Sequence, residues 1–290
     1  MKQAPCVCIL AWIVCAAGVS ANAGTIVRFT TIYGEIGVDL YDAVAPNTVA
    51  NFLGYVDASA YTNSFIHRSL GYVVQGGSYK VSGDAGSGYY LDVVPTGDPI
   101  DMEWDPENMS NSTGTIAMAR TDDLNSATSG WFFNVQDNPQ YDNPASPYAV
   151  FGDVIFGMNT IYALASLPIY DLTPGFPFQQ IPLYNYDPQA GLMLSNLAMV
   201  YGVHVAGDAN GDQVIDYIDL GNLACNYDAT SATWDMGDFN FDGVVDYIDL
   251  GLLASEYGRN CGGDAAPVPE PFTWTILAAG GWALLRRRRR

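Results

Sequence analysis

Phe65-Ile66-His67-Arg68-Ser69-Leu70-Gly71-Tyr72-Val73-Val74-Gln75-Gly76-Gly77 sets one arginine among apolar and aromatic residues, ahead of a glutamine and a glycine pair. A guanidinium in that company is suited to an apolar groove. It can donate hydrogen bonds to a carbonyl there and cannot lose its charge. The rest of the chain makes Arg68 stand out. Lys and Arg total 11 in 290 residues, but Lys2 lies near the N-terminus and Arg286 to Arg290 close the chain. Only Arg28, Arg68, Lys80, Arg120 and Arg259 lie between, against 31 carboxylates. A surface that acidic repels phosphate backbones, so nucleic acid is not an expected partner; solubility and cation binding are favoured. The plainer reading of Arg68 is a cation snorkelling at the surface.

Three later stretches bear on that choice. Gly114-Thr115-Ile116-Ala117-Met118-Ala119-Arg120 precedes Asn125-Ser126-Ala127-Thr128-Ser129-Gly130-Trp131-Phe132-Phe133-Asn134, and Tyr148-Ala149-Val150-Phe151-Gly152 follows. With Ala45-Pro46-Asn47-Thr48-Val49-Ala50-Asn51-Phe52, these stretches resemble the cyclophilin family of peptidyl-prolyl isomerases in order and spacing. The resemblance runs from about Thr25 to Val205. It implies a mainly β fold: a closed, eight-stranded antiparallel barrel with two helices. It also implies proline-containing polypeptides as substrates and no cofactor for isomerisation. Arg68 would polarise the prolyl amide, and Gln75 would hold Arg68 or the substrate backbone. Tyr72, Val73, Phe132 and Tyr141 would form the proline pocket. Ala119 and Arg120 would line the groove for the preceding residues, with Gly130 and Tyr148 also on the substrate side. Phe133 and Phe151 are read as plain core.

Four positions depart from the common pattern of that family. Gly130 stands where a substrate-binding glutamine is usual, and Gln140 replaces a Trp or Phe. Tyr148 takes a place held by His in some members. One residue, usually proline, is missing between Leu70 and Gly71. A glutamine restored at position 130 is expected to regain a substrate contact and raise efficiency.

Hydrophobic periodicity gives the same picture independently. Ile26 to Ile32 is rich in β-formers, and Ile36, Val38 and Leu40 alternate with Gly37, Asp39 and Tyr41, a hairpin with one buried face. Pro46 to Val56 suits a short helix, with Pro near its start and Val49, Phe52 and Val56 on one face. Short β runs follow at 72–74, 115–119, 131–135 and 150–155. A second helix is expected over 158–167 and a closing strand over 197–205. Residues 168–194 show no period and read as a long loop or insertion. A closed sheet would leave no exposed edge.

Beyond the barrel the chain repeats itself at 30 residues. Asp208, Asn210, Asp212, Val214, Asp216 and Asp219 recur as Asp238, Asn240, Asp242, Val244, Asp246 and Asp249. Oxygen ligands at loop positions 1, 3, 5, 9 and 12, with a backbone carbonyl from position 7, are the spacing that wraps a chain around Ca²⁺. The final Asp, in place of Glu, and Leu220, Leu223, Leu250 and Leu253 make the pair resemble dockerin-type repeats. That resemblance implies two structural Ca²⁺ sites in a small helical module and a cohesin-like or other surface protein as partner. Gln213 stands where a turn glycine is usual. Asx-turn loops that bind nothing are the alternative.

The two ends carry address signals. Lys2, the apolar run Cys6 to Val19 and Ala21-Asn22-Ala23 read as a secretory signal cut before Gly24. Pro267-Val268-Pro269-Glu270-Pro271, an apolar stretch 272–285 and five arginines resemble a PEP-CTERM sorting signal, which implies export with transient anchoring in the inner membrane. A permanent tail anchor is the other reading. Cys225 and Cys261 outlast the leader and form either one disulfide or two thiols. The expected organisation is a signal at 1–23, an isomerase domain at 24–205, repeats at 206–260, a linker at 261–271 and a sorting segment at 272–290. Only His67 and His204 are available for a hydrolytic triad, which is poor material. The leading expectation is an exported peptidyl-prolyl isomerase. A non-catalytic module that binds proline-containing segments, and a docking protein with the barrel as cargo, are the competing classes.

Overall fold

The structure, a computed structural model, describes residues 24–260 apart from Ala85 and Ser87. The stretch read as a secretory leader, Cys261, the Pro-Glu-Pro motif and the arginine tail lie outside the described residues. Among the described residues no helix is long and apolar enough to cross a membrane.

β1 (Ile26–Thr31) and β2 (Gly34–Leu40) form the expected hairpin, in register from Ile26 opposite Asp39 to Thr31 opposite Gly34. Gly34 turns the chain at φ +124°, which other residues rarely adopt. α1 (Pro46–Asp57) follows and buries Val49, Phe52, Tyr55 and Val56. Its N-cap, Ala45, offers no side-chain acceptor. The Glu103 carboxylate accepts instead from the Asn47 and Thr48 amides at 3.1 and 2.7 Å, where it also meets the positive end of the helix dipole.

The sheet then builds through β3 (Ser64–Phe65), β4 (Arg68–Ser69), β5 (Val73–Gly76), β6 (Tyr79–Asp84), β7 (Gly88–Val93), β8 (Thr115–Met118), β9 (Trp131–Asn134) and β10 (Val150–Phe156). α2 (Met158–Ala165), the short ladder β11 (Ile169–Tyr170) with β12 (Ile181–Pro182), and β13 (Met199–Val205) complete this part. One sheet has eleven strands in the order β4-β5-β9-β8-β10-β2-β1-β13-β3-β6-β7.

This corrects the expectation of a closed, eight-stranded barrel. The hydrogen-bonded sheet is open, with β4 at one end and β7 at the other. The reason lies at Ile66-His67. β3 and β4 are neighbours in sequence, but β3 pairs with β13 and β6 while β4 pairs with β5. A strand that bends there serves two ladders, so chain connectivity spans the gap that hydrogen bonds leave. The extra strands β6 and β7 were not legible from periodicity. The core within the sheet is aromatic: Phe29 packs edge-on against Trp131 and Phe133 at centroid distances of 5.0 and 5.3 Å, and Phe133 and Phe151 are fully buried as expected.

The acidic repeats fold into α3 (Tyr217–Cys225) and α4 (Tyr247–Glu256), capped by Asp216 and Asp246 through bonds of 2.7 Å from the Ile218 and Ile248 amides. They do not hang free. Ile215, Leu223, Trp234, Phe239, Val245 and Leu253 belong to the same continuous apolar cluster as the core of the sheet. Phe241 stacks on Phe156 at 4.7 Å and covers Gly37, where any Cβ would strike its ring. Two ion pairs cross this seam in opposite directions. Arg28 of β1 binds Asp235 at 2.9 Å, and Arg259 beyond α4 binds Asp57 of α1 at 2.9 Å. Gln213 takes φ +70°, the strained region where the second repeat has Gly243 at φ +85°. Its side chain explains why a glutamine sits there, since it bridges to Ser59 and Thr62 just after α1.

Candidate active site

Arg68 sits on β4 directly across from Gln75 on β5, and Gln75 lies across from Phe132 on β9. The β4–β5 turn is tight: the Leu70 amide donates to Val73 O at 3.1 Å and Gly71 adopts φ +81°. The deletion in the sequence is therefore absorbed by a glycine turn. Along β9, side chains alternate. Trp131 and Phe133 enter the core, and Phe132 faces the other way, 5.6 Å from both Tyr141 and Tyr148. Tyr72 joins them, 6.4 Å from Tyr141. Val73 is buried beside this cluster.

Electrostatics tie the aromatics to the arginine. Burial, the Tyr72 hydroxyl and the neighbouring phenols push Tyr141 above the usual tyrosine range, and Arg68 pulls it back. His67, next to Arg68, is lowered to about 4 by burial first and by the adjacent guanidinium second. It stays neutral and belongs to the wall, 5.1 Å from the Tyr79 ring. Arg68 itself is exposed. Its Nε donates to Gln180 Oε1 at 3.0 Å, and its Nη1 lies 3.5 Å from Gln75 Oε1, at the outer limit of a hydrogen bond.

The remaining expected residues fall around this cluster in different ways. Arg120 stacks over Tyr148 at 4.5 Å and donates to Pro147 O, Thr121 O and Ser146 Oγ, so it braces the tyrosine. Ala119 and Gly130 are joined by an amide-to-carbonyl bond of 2.9 Å. A Cβ on Gly130 would stand 2.9 Å from Ser78 Oγ and 3.3 Å from Ala119 Cβ. This position is closed, which works against a restored glutamine. Gln140 turns back to donate to Asn138 Oδ1 at 3.1 Å.

Sequence reading missed the supports. Asn134 is fully buried and donates to Asn111 Oδ1 and Thr115 Oγ1, and Asn138 donates to Asn134 Oδ1 and Tyr72 O. Asn111 in turn holds Asp142 and the Tyr148 carbonyl. This amide chain fixes the loops that carry all three groove tyrosines, at full satisfaction of its buried polar atoms. Three asparagines near the aromatic motif were the available signal. A separate groove of about 810 Å³ opens between the β6–β7 hairpin and the 168–194 segment, lined in part by Tyr79, Tyr89, Tyr90, Phe176 and Phe178. None of the expected site residues lines it.

A family model for cyclophilin type peptidyl-prolyl cis-trans isomerase/CLD matches residues 26–185. The chain belongs to the cyclophilin-type peptidyl-prolyl isomerases. Curated relatives agree. The chain is 33% identical over 168 residues to a peptidyl-prolyl cis-trans isomerase of Acinetobacter baylyi, covering 56% of this chain and 85% of that one. It is 34% identical over 166 residues to peptidyl-prolyl cis-trans isomerase A of Dickeya dadantii, covering 56% and 81%. With isomerase B of Escherichia coli it shares 34% over 141 residues, 47% and 80% of the two chains. Among solved structures, a cyclophilin of Cryptosporidium parvum covers 62% of this chain and 95% of its own at 22% identity, with a TM-score of 0.44. The cyclophilin match ends before β13 and leaves the repeats outside it.

The repeats gather acidic side chains away from the groove. Asp219 and Asp249 are fully buried and close their loops, accepting from the Ala209 and Phe239 amides at 2.9 and 2.8 Å. Burial raises both carboxyls, and burial with the neighbouring Asp249 and Asp242 raises Asp238 to about 6. Asn210 and Asn240 donate to Asp212 and Asp242 at 2.8 and 2.9 Å. The Val214 and Val244 amides donate to Asp212 Oδ1 and Asp242 Oδ1, both at 2.9 Å. Among the described residues no three His, Cys, Asp or Glu side chains gather as a metal cage. Cys225 is exposed and unpaired among them.

Proposed function

We propose that this isomerase turns X-Pro bonds of polypeptides by hydrogen bonding from Arg68 to the prolyl amide. The bond resists rotation by roughly 18–20 kcal/mol because of its double-bond character. No nucleophile or base is required. The groove must hold the ring and favour the twisted amide over both planar forms. Phe132, Tyr141 and Tyr72 offer an apolar and aromatic bed for the ring, and Arg68 offers N–H donors that draw density from the amide nitrogen. The observation that carries this reading is the company Arg68 keeps. Its partners among the described residues are two neutral glutamine oxygens, so its charge is not cancelled and its Nη2 is uncommitted. Exchange spectroscopy on an X-Pro peptide tests it. Arg68→Ala should lose on the order of 100-fold in kcat/KM. Wild-type rates in a folded Arg68→Ala protein would refute the role. Peptide binding without turnover by the wild type would favour the non-catalytic reading.

We also infer that the repeats hold Ca²⁺. The donors fit a hard cation: oxygen only, with Asp238 and Asp249 raised first by burial and then by neighbouring carboxylates. Asp208, Asn210, Asp212, Asp216 and Asp219 with the Val214 carbonyl would hold one ion, and Asp238, Asn240, Asp242, Asp246 and Asp249 with the Val244 carbonyl the other. Each bound ion would offset about half of the charge of its loop's four aspartates and tighten the seam. Titration calorimetry with calcium, and melting in calcium against chelator, test this; no heat and identical melting would sink it. Tyr217 and Tyr247 stand 72% and 73% exposed at matching places on α3 and α4, which supports docking to a cohesin-like surface protein. Loss of co-elution in a Tyr217→Ser, Tyr247→Ser variant would test it. Export rests on the two end signals, and the intact mass of the native protein checks both cuts.

A further inference from the structure

We propose that Gln180 is a positioning residue for Arg68. This rests on the role given to Arg68 above. Gln180 lies 112 positions away in sequence, in the stretch between α2 and β13 that carries no periodic signal. It grips β4 twice. Its side-chain oxygen accepts from Arg68 Nε at 3.0 Å, and its backbone oxygen accepts from the Ser69 amide at 2.8 Å. Gln75, the partner expected from sequence, is the looser of the two at 3.5 Å.

The grip is backed by a rigid platform. Phe178, Ile181 and Leu183 flank Gln180 and are buried with Phe65, Val81 and Leu197 in a second apolar cluster. Ile169 and Tyr170 pair with Pro182 and Ile181. A guanidinium is planar, so fixing Nε–H fixes the plane in which both Nη groups lie. The amide oxygen of Gln180 does this without adding a charge. An acceptor of that kind aims the fork and leaves the cation strong enough to act on a substrate carbonyl or amide. Pre-aimed donors act at the twisted amide without reorganisation.

The test uses Gln180→Ala and the near-isosteric Gln180→Met, each alone and in the Arg68→Ala background, with rates from exchange spectroscopy and melting by circular dichroism. Expected is a fall in kcat of about 3- to 10-fold with KM nearly unchanged. The Arg68 Nε–H cross-peak should shift in both single variants. In the Arg68→Ala background, Gln180→Met should lower the residual rate no further. If Gln180→Ala melts early, Gln180→Met alone decides. Wild-type kcat in Gln180→Met overturns the proposal, as does the same fractional loss with and without Arg68, which would mark a role in folding only. Failure of the underlying reading looks different: Arg68→Ala would itself keep wild-type rates.

Discussion

The arginines along the groove and those along the seam with the repeats keep opposite company. Arg68 and Arg120 are held by neutral oxygens, from glutamines, backbone carbonyls and a serine. Arg28 and Arg259 are each held by two carboxylates, Glu35 with Asp235 and Asp57 with Glu256. Arg28 is also buried under Trp234, 4.9 Å from its ring centre. In a chain with 31 carboxylates, two of the four described arginines nonetheless make no ion pair among the described residues. Paired arginines spend their charge on structure. Arg120 uses its unpaired guanidinium to brace Tyr148, and Arg68 keeps an uncommitted Nη2 among the described residues.

Exchanging the two roles is the strongest way to break this contrast. Arg68→Ala should cost on the order of 100-fold in kcat/KM with little change in melting, whereas Arg28→Met should leave kcat/KM within about twofold. Equal kinetic losses in the two variants would erase the distinction. The second effect is one of stability. Arg28→Met leaves Glu35 without its partner and removes the contact with Trp234, a loss of about 2–3 kcal/mol after discounting the exposed Asp235. Denaturant unfolding measures it, and a change below about 0.5 kcal/mol would make the seam ornamental.

A third effect is specific to the groove wall. His67 is lowered to about 4 in the fold, from an ordinary 6.5. Below pH 6.5 the unfolded chain takes a proton that the folded one refuses. The stability His67 contributes is thus whole above pH 6.5 and lost as pH falls toward 4, roughly 2 kcal/mol of it by pH 5. Asp238 acts with the opposite sign, since a raised carboxyl stabilises the fold at low pH and loses that contribution as pH rises through about 6. Comparing wild type with His67→Gln isolates the histidine: the variant should lose less stability between pH 6.5 and 5, and parallel curves would show that His67 is solvated. Smallest is Gly130→Gln. Ser78 can rotate away but Ala119 cannot, so efficiency should stay flat or fall by no more than about threefold. A clear gain would mean the groove opens at Ser78 and that the missing glutamine was the deficit.

Legibility followed locality. The hairpin of β1 and β2, α1, and the strands at Thr115, Trp131 and Val150 announced themselves because each alternates or repeats over a few residues. The β6–β7 hairpin did not, since Gly88 to Val93 is exposed on both sides and shows no buried face. Arg68, Gln75 and the aromatic set were readable as a motif. Gln180 was not, because its meaning lies in a contact across 112 residues. Gln213 looked like a flaw in the first repeat, and only its reach to Ser59 and Thr62 shows why a strained glutamine is kept.

The open end of the sheet at β7 carries a colloidal liability. Among the described residues no further strand pairs with its backbone edge, and Tyr89, Tyr90 and Val93 stand more than half exposed along it. Such an edge is a template for a neighbouring copy. What holds copies apart in neutral solution is mutual repulsion, with a formal net charge of −20 and acids at Asp84 and Asp92 on the hairpin itself. That guard is withdrawn near the sequence pI of about 4.1, so self-association through β7 is the expected first failure of this protein in acid.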